Sequence, residues 1–173
     1  MHLRFVQDVK KSTNRFFLPI VKFLDRLHCT PLLLTSLSFL SGLASVYFLF
    51  MPMKFIPFAF LHILFDILDG HLARYQKKTS KLGSYLDYGN DRLIELFTLL
   101  QIARFYPLVY VIVVLYVMHQ LLYLRFKTNL FYGRTWLFLY SIFRLYAIGA
   151  VFVGGLYLLG ILTQLKEIYI KHR

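Results

Sequence analysis

The chain carries one cysteine, Cys29, so no intrachain disulfide can form and thiol chemistry is set aside. Acidic residues are scarce: eight of 173, against twenty Lys and Arg, for a formal net charge of +12. Ser/Gly/Pro-rich linkers and low-complexity tracts are missing, which leaves one domain. The opening stretch, MHLRFVQDVKKSTNRFF, has no uninterrupted apolar run and no small-residue cleavage site, so it does not read as a secretory signal peptide.

Apolar surface is abundant instead. Hydrophobic residues make up 58% of the chain, and the mean hydropathy is +0.60. A soluble domain of this length has too little interior to hide so much apolar area. The pattern predicts an all-α integral membrane protein: a bundle of six transmembrane helices preceded by an amphipathic helix lying in the interface. Residues 1–28 are the juxtamembrane segment, basic through Arg4, Lys10, Lys11, Arg15, Lys22 and Arg26, with a bend expected near Pro19. Residues 29–173 are the six-helix domain. Its spans are expected near Pro31–Phe50, Phe55–Tyr75, Lys81–Phe105, Pro107–Phe126, Thr135–Ile148 and Ala150–Leu165, the last two divided at Gly149.

The excess positive charge follows topology. With both termini cytosolic, the inner segments hold the N-terminal basic set, Arg74, Lys77, Lys78 and Lys81, then Arg125, Lys127 and Arg134, then Lys166, Lys171 and Arg173. The outer loops keep Lys54, Arg104 and Arg144. This is the bias of positive-inside insertion. Basic residues confined to short loops between apolar runs argue for anionic lipid and against nucleic acid. Ser41 and Ser45, and Ala150 and Gly154, are small pairs at four-residue spacing that suit close helix packing.

Half of all the acidic residues fall in one segment, DILDGHLARYQKKTSKLGSYLDYGND, from Asp66 to Asp91. An ionised Asp at the centre of a membrane helix costs about 2.5–3.5 kcal/mol on the insertion scale. Asp66, Asp69, Asp87 and Asp91 therefore need an offsetting charge, and two divalent cations supply it by simple counting. Spacing agrees. Asp66 and Asp69 are an i,i+3 pair, and Asp87 and Asp91 an i,i+4 pair, so each pair shares a helix face. Carboxylates with no Cys or His at matched spacing favour a hard cation, Mg²⁺ or Mn²⁺. Gly70, Ala73 and Gly83 keep bulk away from those faces, and Arg74 is placed to clamp phosphate. Ser80 is positioned as N-cap of the third span, whose free N–H groups would face an anion.

The segment resembles the signature of the CDP-alcohol phosphotransferase family: D-x-x-D-G-x-x-A-R, eight residues, then G-x-x-x-D-x-x-x-D. Asp66, Asp69, Gly70, Ala73, Arg74, Gly83, Asp87 and Asp91 meet every fixed position. The resemblance implies a six-span enzyme, commonly a homodimer, with its active site at the cytosolic face. It implies that Asp66, Asp69 and Asp87 ligate two cations, Asp66 and Asp87 bridging both. Asp91 would bind the second cation and act as base for the acceptor hydroxyl. Gly70, Ala73, Arg74, Ser80 and Gly83 would line the CDP pocket. Thr30 and Thr35 belong to the stretch where the family often carries Pro-Asn-x-x-Thr; here Leu32 replaces the Asn, a departure from the pattern.

Other polar residues carry less specific signals. Glu95 follows Asp91 by one turn and either orients the acceptor or a group behind the metal ligands, or pairs with Arg92 or another cation of the bundle. Arg125, Lys127, Arg134 and Arg144 are candidates for an acceptor phosphate, although insertion topology alone accounts for the first three. His71 is a rim residue at a variable motif position. His62 and His119 read as hydrogen-bonded structural histidines.

The leading expectation is transfer of a phosphatidyl group from CDP-diacylglycerol to a small polyol or its phosphate, of the glycerol phosphate or inositol phosphate type, releasing CMP. The alternative within the class is a CDP-aminoalcohol transferase acting on diacylglycerol. An aspartate-rich prenyltransferase would need different aspartate spacing. An ion-translocating protein leaves Gly70, Ala73, Arg74 and Gly83 unexplained.

Overall fold

In the computed structural model, residues 17–126 and 133–171 are described, and their regular structure is helical, with no strand. Helix α1 spans Phe17–Arg26. It is followed by α2 (Pro31–Tyr47), α3 (Pro52–Tyr75), α4 (Lys81–Ala103), α5 (Val109–Phe126), α6 (Gly133–Ile142) and α7 (Tyr146–Lys171).

The breaks have local causes. Three helices end on a non-glycine residue with positive φ: His28 at 57°, Lys77 at 56° and Arg144 at 58°. In each case the following N–H reaches back to close the last turn: Cys29 to Leu24, Lys78 to Ala73, and Leu145 to Tyr140, at 2.9–3.0 Å. This is the Schellman ending, and the side chains of Lys77 and Arg144 at that place also complement the negative helix terminus. Thr30 caps α2, its Oγ1 accepting from the Leu33 N–H at 3.3 Å, with Pro31 in the first helical position.

The chain divides into two compact units, residues 1–42 with 59–90, and 43–58 with 91–173. In the first unit, Val21, Leu34, Leu68 and Leu72 form a buried cluster contributed by α1, α2 and α3. Helices α1 and α2 meet at 110°. Gln76 braces that elbow, its Nε2 donating to Asp25 Oδ1 at 2.8 Å and to the Cys29 carbonyl at 3.0 Å. The bend thus falls after α1, whereas Pro19, where it was expected, lies within that helix. Leu18, Ile20, Phe23 and Leu27 stand exposed here beside exposed Lys22 and Arg26. The remainder of the basic juxtamembrane segment lies outside the described residues. Buried His62 is tied to Ser38, with Nδ1 2.9 Å from both the hydroxyl and the carbonyl, as a structural histidine should be.

In the second unit α7 packs on α5 and α6. Gly154 abuts Ile112, and Ala150 is fully buried, so this small pair serves close packing within the bundle. Gly149 is not a boundary between spans. It lies inside α7, and a Cβ built on it would fall 2.5 Å from Tyr140 Cβ. The glycine is there for the close approach of α6; the chain breaks earlier, at residues 143–145.

Helices α3 and α7, over Pro52–Tyr75 and Tyr146–Lys166, are long and apolar enough to cross a membrane, and the bent α1–α2 pair makes a third if taken as one span. Apolar helices of this kind fit an integral membrane protein. Helix α4 has the length, 23 residues, but carries Lys81, Asp87, Asp91, Arg92 and Glu95.

Candidate active site

Two helices bring the motif together. The end of α3 carries Asp66, Asp69, Gly70, Ala73 and Arg74; the start of α4 carries Gly83, Asp87 and Asp91. Between them Ser80 caps α4, its Oγ accepting from the Gly83 N–H at 3.0 Å. The turn at residues 76–80 is short, and the meeting of Asp66 with Asp87 and Asp91 shows that the motif-bearing ends of the two helices come together.

Asp66, Asp87 and Asp91 each place a carboxylate oxygen within 4.8 Å of the other two. Asp66 and Asp91 are half-buried and Asp87 is exposed. That donor set suits a hard divalent cation: it is all oxygen, multiply anionic and open on one side. Asp69 stands outside this group of three. It is 6% exposed, and its Oδ2 accepts from Thr35 Oγ1 at 2.7 Å. The same hydroxyl lies 3.0 Å from the Pro31 carbonyl, so α2 holds Asp69 in a fixed orientation.

A cavity of about 440 Å³ opens beside these aspartates. Thr30, Thr35, Gly70, Ala73, Arg74, Ser80 and Gly83 all line it, together with Asp69 and Asp87. The donor-pocket residues expected from sequence therefore converge on one space. The Arg74 guanidinium lies over Gly70, where a Cβ would sit 3.4 Å from its Nη1. Lys78, Thr79 and Ser84 line the cavity too and were missed. Lys78 had been absorbed into the insertion charge bias, and the Thr79-Ser80 pair preceding a helix was the available signal. Asn90, inside the motif at a variable position, donates to the Thr35 carbonyl at 3.5 Å.

The chain belongs to the CDP-alcohol phosphatidyltransferase family. The family model matches residues 28–167, most of the molecule. No curated protein matches the sequence closely. The CDP-alcohol phosphatidyltransferase assignment makes the protein a transferase of phospholipid synthesis, with a CDP-alcohol as donor and an alcohol as acceptor. Dependence on divalent cations, typical of the family, agrees with the aspartate cluster found here.

The remaining candidates lie elsewhere. Glu95 is fully buried in the second unit, paired with Arg92 across 2.6 Å and accepting from the Tyr157 hydroxyl. Of its two readings, the pairing with Arg92 is the one seen. Arg125 is exposed in the last turn of α5. Lys127 lies outside the described residues, as does the side chain of Arg134. His71 stacks at 5.0 Å on Phe17 and lines a second cavity of about 220 Å³ with Leu18, Val21, Arg74 and Tyr75.

Proposed function

We propose that the protein transfers a phosphatidyl group from CDP-diacylglycerol to the hydroxyl of a small polyol or polyol phosphate, releasing CMP. The observation that carries this reading is the cavity whose walls hold Arg74, Ser80 and Gly83 and whose edge meets the aspartates. The acceptor oxygen attacks the phosphorus that bears the diacylglycerol. The bond from that phosphorus to the CMP oxygen breaks, CMP leaves with the electron pair, and the acceptor proton passes to Asp91.

Each residue has a role that its place supports. Arg74 sets a guanidinium against the pyrophosphate, and the capped N-terminus of α4 turns backbone N–H groups toward it. Thr30, Thr35, Gly70 and Ala73 shape the donor pocket. Asp66, Asp87 and Asp91 would hold the cations, Asp69 would join them from the orientation that Thr35 gives it, and Asp91 would also serve as base. Two bound divalent cations, Mg²⁺ or Mn²⁺, would neutralise the pyrophosphate and the departing CMP.

The place of Arg74 also fits a lipid-bearing donor. It lines both cavities, and the smaller one has the apolar walls Leu18 and Val21. A donor whose pyrophosphate rests on Arg74 finds an apolar opening beside it. We propose six spans with both termini cytosolic, of which α3 and α7 have the length and composition to cross a membrane, residues 1–28 as the interfacial segment, and a second copy of the chain as partner. Arg125, Lys127 and Arg134 remain the candidates for an acceptor phosphate at the cytosolic ends of the spans.

The test is CMP release by the purified chain from CDP-diacylglycerol with Mg²⁺ or Mn²⁺, screened over polyols and polyol phosphates. CDP-choline with diacylglycerol is the comparison arm. Turnover in the comparison arm alone would replace this reading with the aminoalcohol transferase.

A further inference from the structure

Beyond the aspartates, α4 carries a second charged pair with no part in the family signature. Arg92 and Glu95 occupy the turn that follows Asp91, and both are buried, at 8% and 0% exposure. The Glu95 carboxylate is held at both oxygens: Oε2 by Arg92 Nη1 at 2.6 Å and Oε1 by the hydroxyl of Tyr157 on α7. The backbone of the same turn is gripped as well. Tyr116 on α5 donates its hydroxyl to the Arg92 carbonyl at 2.7 Å. The two tyrosine rings meet edge to face at 5.3 Å, and buried His119 lies against Tyr157 at 5.7 Å.

Two neighbouring helices thus hold one turn of α4, one through a side chain and one through the backbone. A buried ion pair is a poor source of net stability, since desolvation cancels most of its attraction. What this arrangement supplies is fixed geometry. Rotation of α4 by roughly 20° would carry a carboxylate about 5–6 Å from the helix axis through about 2 Å. Mg²⁺ binds oxygens at about 2.0–2.1 Å in near-octahedral geometry and tolerates no such displacement. Both tyrosine hydrogen bonds oppose that rotation and a slide of α4 along its axis.

We propose that Glu95, Tyr157 and Tyr116 are positioning residues for Asp91: they set the rotation and height of the turn of α4 that presents its carboxylate to the cation site. Resting on the cation-site reading above, this adds three residues that never touch substrate or metal. It also gives Glu95 a task other than acceptor contact.

Mn²⁺ binding to the full chain in detergent, followed by the electron paramagnetic resonance of free and bound Mn²⁺, tests it without turnover. Tyr157→Phe and Tyr116→Phe each remove a single hydroxyl, and both variants should still fold. Each should weaken Mn²⁺ binding about tenfold, the low end for partners that orient metal ligands. At saturating Mn²⁺ their KM for donor should match wild type. Glu95→Gln should weaken binding at least as much. Ile102→Val, a fully buried change on the same helix, is the control for general loosening and should leave Mn²⁺ affinity unchanged. Wild-type Mn²⁺ affinity in both tyrosine variants would overturn the proposal, as would an equal loss in Ile102→Val. A wild-type chain that binds no Mn²⁺ would overturn the cation site itself, and this proposal with it.

Discussion

Acidic side chains occur in two settings on α4, little more than two turns apart. Asp87 is exposed beside an open cavity and shares a 4.8 Å cluster with Asp66 and Asp91. Glu95 is sealed in the bundle, with an arginine and a tyrosine supplied by the protein itself. The first setting leaves charge where an external cation can reach it. The second settles its charge internally and has nothing left to bind. One helix therefore serves as binding surface at one end and as fixed strut at the other.

The contrast is broken most sharply at Asp91. Asp91→Asn should lower turnover by about 10³-fold or more, or about 4 kcal/mol of barrier, while sparing much of the donor affinity. Parallel measurements of CMP release and donor binding check both halves. Near-normal turnover would move the base elsewhere.

At the sealed end a loss should appear in folding as well as in cation binding. Glu95→Ala leaves Arg92 buried without its carboxylate and should cost about 3 kcal/mol or more. Thermal unfolding in detergent measures it. Asp87→Asn should cause no comparable loss, because it removes a charge from a crowd of like charges at an exposed place.

Cations should separate the two settings next. With Mg²⁺ at about 100 times its dissociation constant, the wild-type chain should gain about 2.7 kcal/mol of stability, lost again on chelation. Asp87→Asn should lose most of that gain. A chain whose melting ignores both Mg²⁺ and chelator would contradict the cation reading.

The smallest effect concerns a buried polar group that is not satisfied at all. Gln164 on α7 is 1% exposed, and neither polar atom of its amide has a hydrogen-bond partner among the described residues. Gln164→Met should stabilise the chain by about 1 kcal/mol, because an unmet buried polar group carries its desolvation cost uncompensated. A destabilised variant would show that the amide is engaged in the working protein.

Much of the site could be read along the chain because its parts are local. The i,i+3 and i,i+4 spacings, the Ser80 cap and the glycine places all lie within 26 residues on two helices and the turn joining them. The helix order was legible for the same reason, since apolar runs and their breaks are properties of neighbouring residues. Gly149 misled because glycine marks both helix ends and close contacts, and only Tyr140 distinguishes them. Glu95 left two readings open because its second partner, Tyr157, lies 62 residues away.

The sequence alone determined which of the motif residues share a helix face, because helical periodicity turns spacing directly into shared faces. Only the tertiary structure decided the environment of each carboxylate: Asp69 held by a threonine of α2, Asp87 left open, Glu95 closed off by α7. Burial and partners are set by segments far apart in the chain, and no local pattern specifies which of them will meet.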